Sequence, residues 1–320
     1  MFTSSSHSSP QVQKIIIDPE YAGQRLDNFL FNKLKGVPKT RIYRIIRKGE
    51  VRINQGRVKP DYRLVSGDLL RIPPVRKSDN EAMSPVTTHP ALSQKILNDI
   101  LFEDDNILVL NKPSGVAVHG GSGVSLGVIE AVRQLRGPKG VYELVHRLDR
   151  ETSGCLMIAK NRATLKVLHE QLRLQQIEKI YWTLVKGKWR SAGVVTAPLI
   201  KNQLSSGERI VKVSPDGQPA RTEFRVLKMF SEASLMEAKP RTGRTHQIRV
   251  HAASVNHPIA GDDKYGDSLF NQSMRKKGLK RLFLHARQIT LLLPDYKEPL
   301  VIIAPLEQSL EEGLAELSGG

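Results

Sequence analysis

The sequence predicts an α+β fold with a large antiparallel or mixed sheet. Three observations carry this: the apolar runs are short and of strand length, turn residues separate most of them, and only a few helical periods lie among them. The 320 residues are 39% hydrophobic and 25% charged, which supplies enough apolar material for two cores and is unlike a disordered or fibrous chain.

The first legible element is a helix near residue 40. Pro38 suits its first position and Gly49 its end. Ile42, Ile45 and Ile46 share one face by 3.6-residue spacing, while Arg41, Arg44 and Lys48 fall on another. Such a helix buries isoleucines and presents a cationic stripe, either a phosphate-binding face or an ordinary solvated one. Val51 to Ile53 alternates as a strand, Asn54-Gln55-Gly56 reads as a turn, and Val58 starts the return; Gly67-Asp68 is a second turn before the apolar stretch Leu69 to Ile72. Residues 22–76 are therefore read as a small domain behind a tail of residues 1–21. From Pro73-Pro74 onward no period is sustained, and 77–97 is read as a linker.

The remainder, 98–320, is read as a second and larger domain. Ile107 to Leu110 is a buried-strand candidate, and Ser125 to Arg136 is helical with Ile129, Val132 and Leu135 on one side. Glu143 to Val145 and Cys155 to Ala159 are short strands flanking a polar loop. Asn161 N-caps a helix carrying Leu165, Leu168 and Leu172. Ile180, Trp182 and Leu184 alternate along a strand, Thr222 to Phe230 and Ser234 to Lys239 read as two more, and Thr245 is read as the cap of a helix running towards Ser254.

The net charge is +17, and its distribution is uneven. Residues 22–76 hold 14 Lys and Arg against 4 Asp and Glu, an excess of +10 that points to a polyanionic partner for this domain. The longest apolar runs are far short of the ~20 residues of a membrane span, and the Ser-rich start does not read as a secretory leader. A single cysteine, Cys155, excludes an internal disulfide, and no ligand spacing for a metal occurs. Gly121-Ser122-Gly123 lacks the strand and tight turn of a dinucleotide loop, and no Walker-type loop suggests ATP use. The acidic pairs Asp104-Asp105 and Asp262-Asp263 read as solvated loops.

Two clusters are candidates for chemistry. In His146-Arg-Leu-Asp149-Arg-Glu-Thr-Ser-Gly154 an aspartate has arginines on both sides in sequence, within a loop between two strands. An arginine held ~4 Å away, at an effective dielectric near 20, favours the carboxylate by about 4 kcal/mol before desolvation, which suits a nucleophile or base. A salt-bridged turn is the alternative. In Arg241-Thr-Gly-Arg244-Thr-His-Gln-Ile-Arg249-Val-His251 a turn at Gly243 opens a helix whose free N–H groups, beside Arg244 and Gln247, suit an anion.

These residues resemble the RNA pseudouridine synthases. His146 to Gly154 is similar to the family's catalytic signature, Glu103 to Gly115 to its first motif, Lys179-Ile180-Tyr181 to its Lys-x-Tyr element and Thr242 to His251 to its later arginine motif. Residues 22–76 resemble an S4 RNA-binding domain, with Arg25-Leu26-Asp27 at the start and Gly67-Asp68 near the end. The resemblance covers residues ~22 to ~305. It implies a catalytic domain with a mixed, mainly antiparallel sheet and an isomerase, without cofactor or metal, that turns uridine into pseudouridine. Asp149 then corresponds to the essential aspartate, Arg249 to the arginine that pairs with it, Tyr181 to the residue that stacks on the target base, Ile248 to an apolar pocket wall, and Arg147 to a side chain that fills the space of the flipped nucleotide. Arg41, Arg44, Lys48 and Arg244 are the expected RNA-binding cations. The expected partner is large-subunit ribosomal RNA or an assembling large subunit, met by a cytoplasmic monomer with no membrane contact. A non-catalytic ribosomal-RNA-binding or assembly factor, a synthase acting on transfer RNA, and a glycoside hydrolase releasing uracil remain alternatives at this point.

Overall fold

A computed structural model describes residues 11–34, 36–75, 98–120, 127–137, 140–190, 193–203, 209–294 and 296–319. The linker 77–97 and Gly121 to Gly123 lie outside the described residues. The chain forms two compact units, divided between Thr87 and Thr88.

The smaller unit runs β1 (Gln13–Ile16), α1 (Leu26–Lys33), α2 (Lys39–Arg47), β2 (Arg52–Ile53), β3 (Gly56–Arg57) and β4 (Leu69–Ile72). Its sheet has the order β1-β4-β2-β3. The expected tail, residues 1–21, needs correction: β1 pairs antiparallel with β4, and Ile17 is fully buried in this unit's core. Three consecutive isoleucines, Ile15 to Ile17, are a β-branched signal that justifies a strand there. The α2 helix is as expected, with Ile42, Ile45 and Ile46 buried against Leu26, Leu30 and Leu70. At about 1.5–3 kcal/mol per buried aliphatic side chain, this face holds the helix in place. Asn54 and Gln55 both take positive φ, the paired left-handed conformation of a tight hairpin turn.

The larger unit continues with β5 (Ile100–Glu103), β6 (Ile107–Lys112), α3 (Val128–Arg136), β7 (Glu143–Leu144), β8 (Ser153–Ala159), α4 (Arg162–Arg173), β9 (Glu178–Lys186), β10 (Gly193–Thr196), β11 (Leu199–Gln203), β12 (Arg209–Val213), β13 (Arg221–Met229), β14 (Ala233–Pro240), α5 (Gln247–Ser254), α6 (Ser268–Lys276), β15 (Leu284–Leu291), β16 (Leu300–Ile303) and α7 (Gln308–Gly319). The main sheet has the order β10-β13-β14-β9-β15-β8-β6-β5, with β16 added on β15 and β7 on β8. Among the described residues only β8 and β15 pair in parallel, so the sheet is mixed and mainly antiparallel. β11 and β12 form a separate hairpin.

The parallel junction fixes where the polar loop after β7 ends. Ser153 and Gly154 lie opposite His285 and Ala286. Gly154 has φ +103°, and a Cβ there would stand 2.3 Å from the Ala286 carbonyl oxygen, so only glycine lets the strands approach. Ala286 also pairs with Tyr181 on β9, which pairs with Ala238 on β14. The end of the signature loop, Tyr181 and the strand leading into α5 thus lie side by side across the middle of the sheet.

Candidate active site

The loop of residues 145–152 is held from below by the segment that follows β6. Lys112 is almost fully buried, and its ammonium donates to the carbonyl oxygens of Pro113 (2.8 Å), Val116 (2.8 Å) and Arg150 (3.1 Å). Burial pushes this lysine down to about 7. Gly115 and Arg150 exchange two further bonds, the Gly115 N–H to the Arg150 carbonyl and Arg150 Nε to the Gly115 carbonyl, each 2.9 Å. Ser114 Oγ donates to the Glu151 carbonyl at 2.8 Å. On the other side His146 Nε2 accepts from the Met157 N–H at 3.1 Å, and burial pushes its imidazole down to about 3. A loop bonded at both ends can hold one side chain in a defined position.

That side chain is Asp149, whose carboxylate is about one-third exposed (32%) in a cavity of roughly 370 Å³. Neither arginine that flanks it in sequence stands beside it: Arg150 turns to Gly115 and Glu151, and Arg147 is exposed at the cavity wall. The cationic neighbour is Arg249 on α5, with Nη1 3.8 Å from Asp149 Oδ2. His246 Nε2 stands 3.8 Å from the same oxygen.

Arg249 has a second and tighter partner. Its Nε and Nη2 grip Asp262 in a two-pronged bond at 2.8 and 2.7 Å, and both side chains are buried. Asp262 Oδ1 also accepts from the N–H groups of Lys264 (2.9 Å) and Tyr265 (3.0 Å). Burial alone would raise this carboxyl, but Arg249 and the two N–H groups outweigh it and hold Asp262 below the usual range. Gly261 before it has φ +71°, and a Cβ there would meet the Arg281 carbonyl oxygen at 2.1 Å. The expectation that Asp262-Asp263 is a solvated pair is therefore half wrong: Asp263 is 82% exposed, whereas Asp262 is the anchor of the arginine. Asp104 is likewise a turn cap, accepting from the N–H groups of Asn106 and Ile107.

Tyr181, Ile248, Arg147 and Arg244 line the same cavity as Asp149. Burial first, and then the Asp149 charge, raise the Tyr181 phenol well above its ordinary value. Ile248 is buried, and Arg244 is exposed with Nε on the Pro219 carbonyl. The α5 start differs from expectation. Thr245 is not its cap; His246 holds that position in a left-handed backbone (φ 52°, ψ 21°) with no side-chain cap. Gln247 Oε1 accepts from the Arg244 N–H at 3.1 Å and from Thr242 Oγ1 at 2.6 Å, so one of the N–H groups expected to face an anion is already bonded. In the smaller unit Arg44 and Lys48 are exposed, while Arg41 is half-buried. Cys155 is buried in β8, where burial pushes its thiol up to about 12, so it packs as an apolar residue.

His246, Asp262 and Tyr265 were not singled out from the sequence as site residues. His246 lies within a motif already noted. Nothing local marks Asp262 or Tyr265, which reach Arg249 only through the fold. Among the described residues no group of His, Cys, Asp and Glu forms a metal site, and no helix is long and apolar enough to cross a membrane.

Residues 106–254 match the RNA pseudouridylate synthase family and residues 24–70 the S4 domain. The ribosomal large subunit pseudouridine synthase C of Yersinia pestis is 53% identical over 311 residues, covering 97% of both chains. That of Pasteurella multocida is 54% identical over 307 residues, 96% of this chain and 94% of its own, and that of Escherichia coli 52% over 314, 97% and 98%. The solved structure of human RNA pseudouridylate synthase domain containing 4 superposes with a TM-score of 0.59 at 30% identity, covering 71% of this chain and 96% of its own. With relatives matched along nearly their whole length, the chain belongs to the RNA pseudouridylate synthase family and is a pseudouridine synthase, an isomerase with an S4 domain near its N-terminus.

Proposed function

We propose that this chain converts specific uridines of large-subunit ribosomal RNA to pseudouridine, in the cytoplasm, with Asp149 as its essential carboxylate. The observation that carries the reading is the meeting of Asp149, Tyr181, Ile248 and Arg147 on one cavity, with Arg249 behind. The relatives' activity on the large subunit supports the choice of substrate.

The reaction is balanced within the nucleotide. The N1–C1′ bond breaks, the base turns, the C5–C1′ bond forms, C5 gives up its proton and N1 ends with one. A paired uridine must first leave its stack at a cost of a few kcal/mol. Arg147, exposed at the cavity wall, is suited to occupy the space the base leaves. Tyr181 and Ile248 then offer the extruded base an aromatic face and an apolar wall. The raised phenol of Tyr181 keeps its proton at neutral pH, which suits a stacking platform and a hydrogen-bond donor. Asp149 faces the reacting centre, with Arg249 providing positive charge beside it. Arg44 and Lys48 of the S4 domain, with half-buried Arg41, supply phosphate affinity independent of sequence, and Arg244 contacts the backbone beside the cavity.

The test is pseudouridine mapping of all stable RNAs in cells lacking the protein. The expected result is loss of particular pseudouridines in large-subunit RNA, restored by the wild-type chain and not by Asp149→Asn. Loss confined to transfer RNA, or full restoration by Asp149→Asn, contradicts the reading.

A further inference from the structure

His246 takes a left-handed backbone beside the reactive carboxylate, a conformation that costs a non-glycine residue about 1–3 kcal/mol. Its imidazole bridges two groups. Nε2 faces Asp149 Oδ2 at 3.8 Å, and Nδ1 lies 2.8 Å from the Tyr265 hydroxyl. Tyr265 in turn accepts from the Val211 N–H of β12 at 3.0 Å, and its ring lies against the Arg249 guanidinium, 5.0 Å from centroid to carbon.

We propose that His246 is a positioning residue for Asp149, locked by Tyr265 into the tautomer that carries its proton on Nε2. Both ends of the ring favour the same arrangement. At one end the Tyr265 oxygen already accepts a hydrogen bond from the Val211 N–H, which leaves its O–H as the group to be placed, and Nδ1 at 2.8 Å is the acceptor in reach. At the other end the Asp149 carboxylate is negative, so a bare Nε2 would set lone pair towards lone pair, whereas Nε2–H turns its positive end to Oδ2 across 3.8 Å. Burial outweighs the attraction of Asp149 and keeps the imidazole below its ordinary value, so it is neutral at neutral pH and has a single ring proton to give. Arg249, Lys264 and Asp262 complete the charged groups around it. Asp149 Oδ2 is thus faced from two sides by N–H groups at 3.8 Å, Arg249 Nη1 and His246 Nε2, and its reactive orientation depends on a chain of contacts running back through Tyr265 to the β11–β12 hairpin.

The inference rests on the reading of Asp149 as the essential carboxylate, and the experiment separates the two. In ¹⁵N spectra of the wild-type protein, His246 Nδ1 is expected at the shift of an unprotonated ring nitrogen; a protonated Nδ1 overturns the proposal. His246→Phe keeps the ring and removes the donor. Its kcat is expected to fall at least about tenfold, with KM for RNA and the unfolding midpoint unchanged, since small misplacements of a reacting group are costly. His246→Gln, whose amide N–H reaches close to the position of Nε2, is expected to recover most of the loss. His246→Phe at wild-type turnover, or the Phe and Gln variants equally impaired, overturns the proposal. Turnover retained by Asp149→Asn would instead remove the reading of Asp149.

Discussion

Arg249 faces two aspartates and treats them differently. Asp262 is fully buried, gripped at 2.7 and 2.8 Å, and bonded to two backbone N–H groups as well. Asp149 is one-third exposed and meets the same arginine only at 3.8 Å. With Asp149 in its proposed role, the contrast separates anchoring from reactivity. A carboxylate with four hydrogen bonds in the interior is stabilised as an anion and is shut away from substrate. One that is held loosely, at the edge of a cavity, keeps a free oxygen for substrate while still feeling the positive charge. Asp262 fixes the arginine so that Asp149 need not.

The largest expected effect of breaking this division is on stability. Asp262→Ala leaves the Arg249 guanidinium buried without its counter-ion, and such a loss typically costs about 3–5 kcal/mol. Asp149→Asn removes a loose, partly solvated contact and is expected to change stability by no more than about 1 kcal/mol. Urea unfolding of both variants measures the difference; equal destabilisation would contradict the separation.

Acid pH sharpens the same point, with a smaller effect per group. His285 is buried neutral, its Nδ1 beside Ser153 Oγ and its Nε2 on the Ala304 carbonyl, and burial pushes it down to about 4. The unfolded chain therefore takes up this proton first. Stability from His285 is complete above about pH 6.5 and falls by about 1.4 kcal/mol per pH unit as pH drops towards 4. The contribution of Asp262, whose folded value is depressed, stays intact through that window and is lost only as pH falls below the ordinary carboxylate range. Unfolding midpoints between pH 4 and 7.5 are expected to show a shallower slope in His285→Gln than in wild type. An unchanged slope would remove His285 from the acid limb.

The smallest effect belongs to the exposed cations of the S4 domain. Arg44→Ala is expected to lower the slope of log affinity against log salt by about one, with turnover at saturating RNA unchanged. A fall in saturated turnover would mean that Arg44 does more than hold RNA.

Elements governed by local periodicity were legible in advance. Ile42, Ile45 and Ile46 face the core of the smaller unit, Asn161 accepts from the Thr164 N–H at 2.8 Å to cap α4, and the strand through Tyr181 stands at the middle of the sheet. Asp149 and Tyr181, singled out through a motif and not through spacing, line one cavity. What sequence adjacency suggested was less reliable. Arg147 and Arg150 flank Asp149 in the chain, but Arg150 bonds to the Gly115 carbonyl and Arg147 is exposed at the cavity wall, and the arginine beside the carboxylate is Arg249. Asp262 and Asp263 read as one solvated pair because neighbouring residues look alike, yet the chain turns one inward and one outward. Thr245 has the right chemistry for a cap, but the backbone at His246 takes the left-handed conformation and the helix starts after it. The misses at Asp149 and Asp262 concern contacts made across the fold, whereas that at Thr245 turns on the backbone of the very next residue.

The most direct measurement is single-turnover conversion of a large-subunit RNA fragment by purified Asp149→Asn, compared with wild type at matched occupancy. The expected result is a loss of pseudouridine formation by about 10⁴-fold or more, with RNA affinity and the unfolding midpoint retained. Conversion within tenfold of wild type would contradict the assignment of Asp149 as the reactive group and leave the contrast between the two aspartates without a functional meaning.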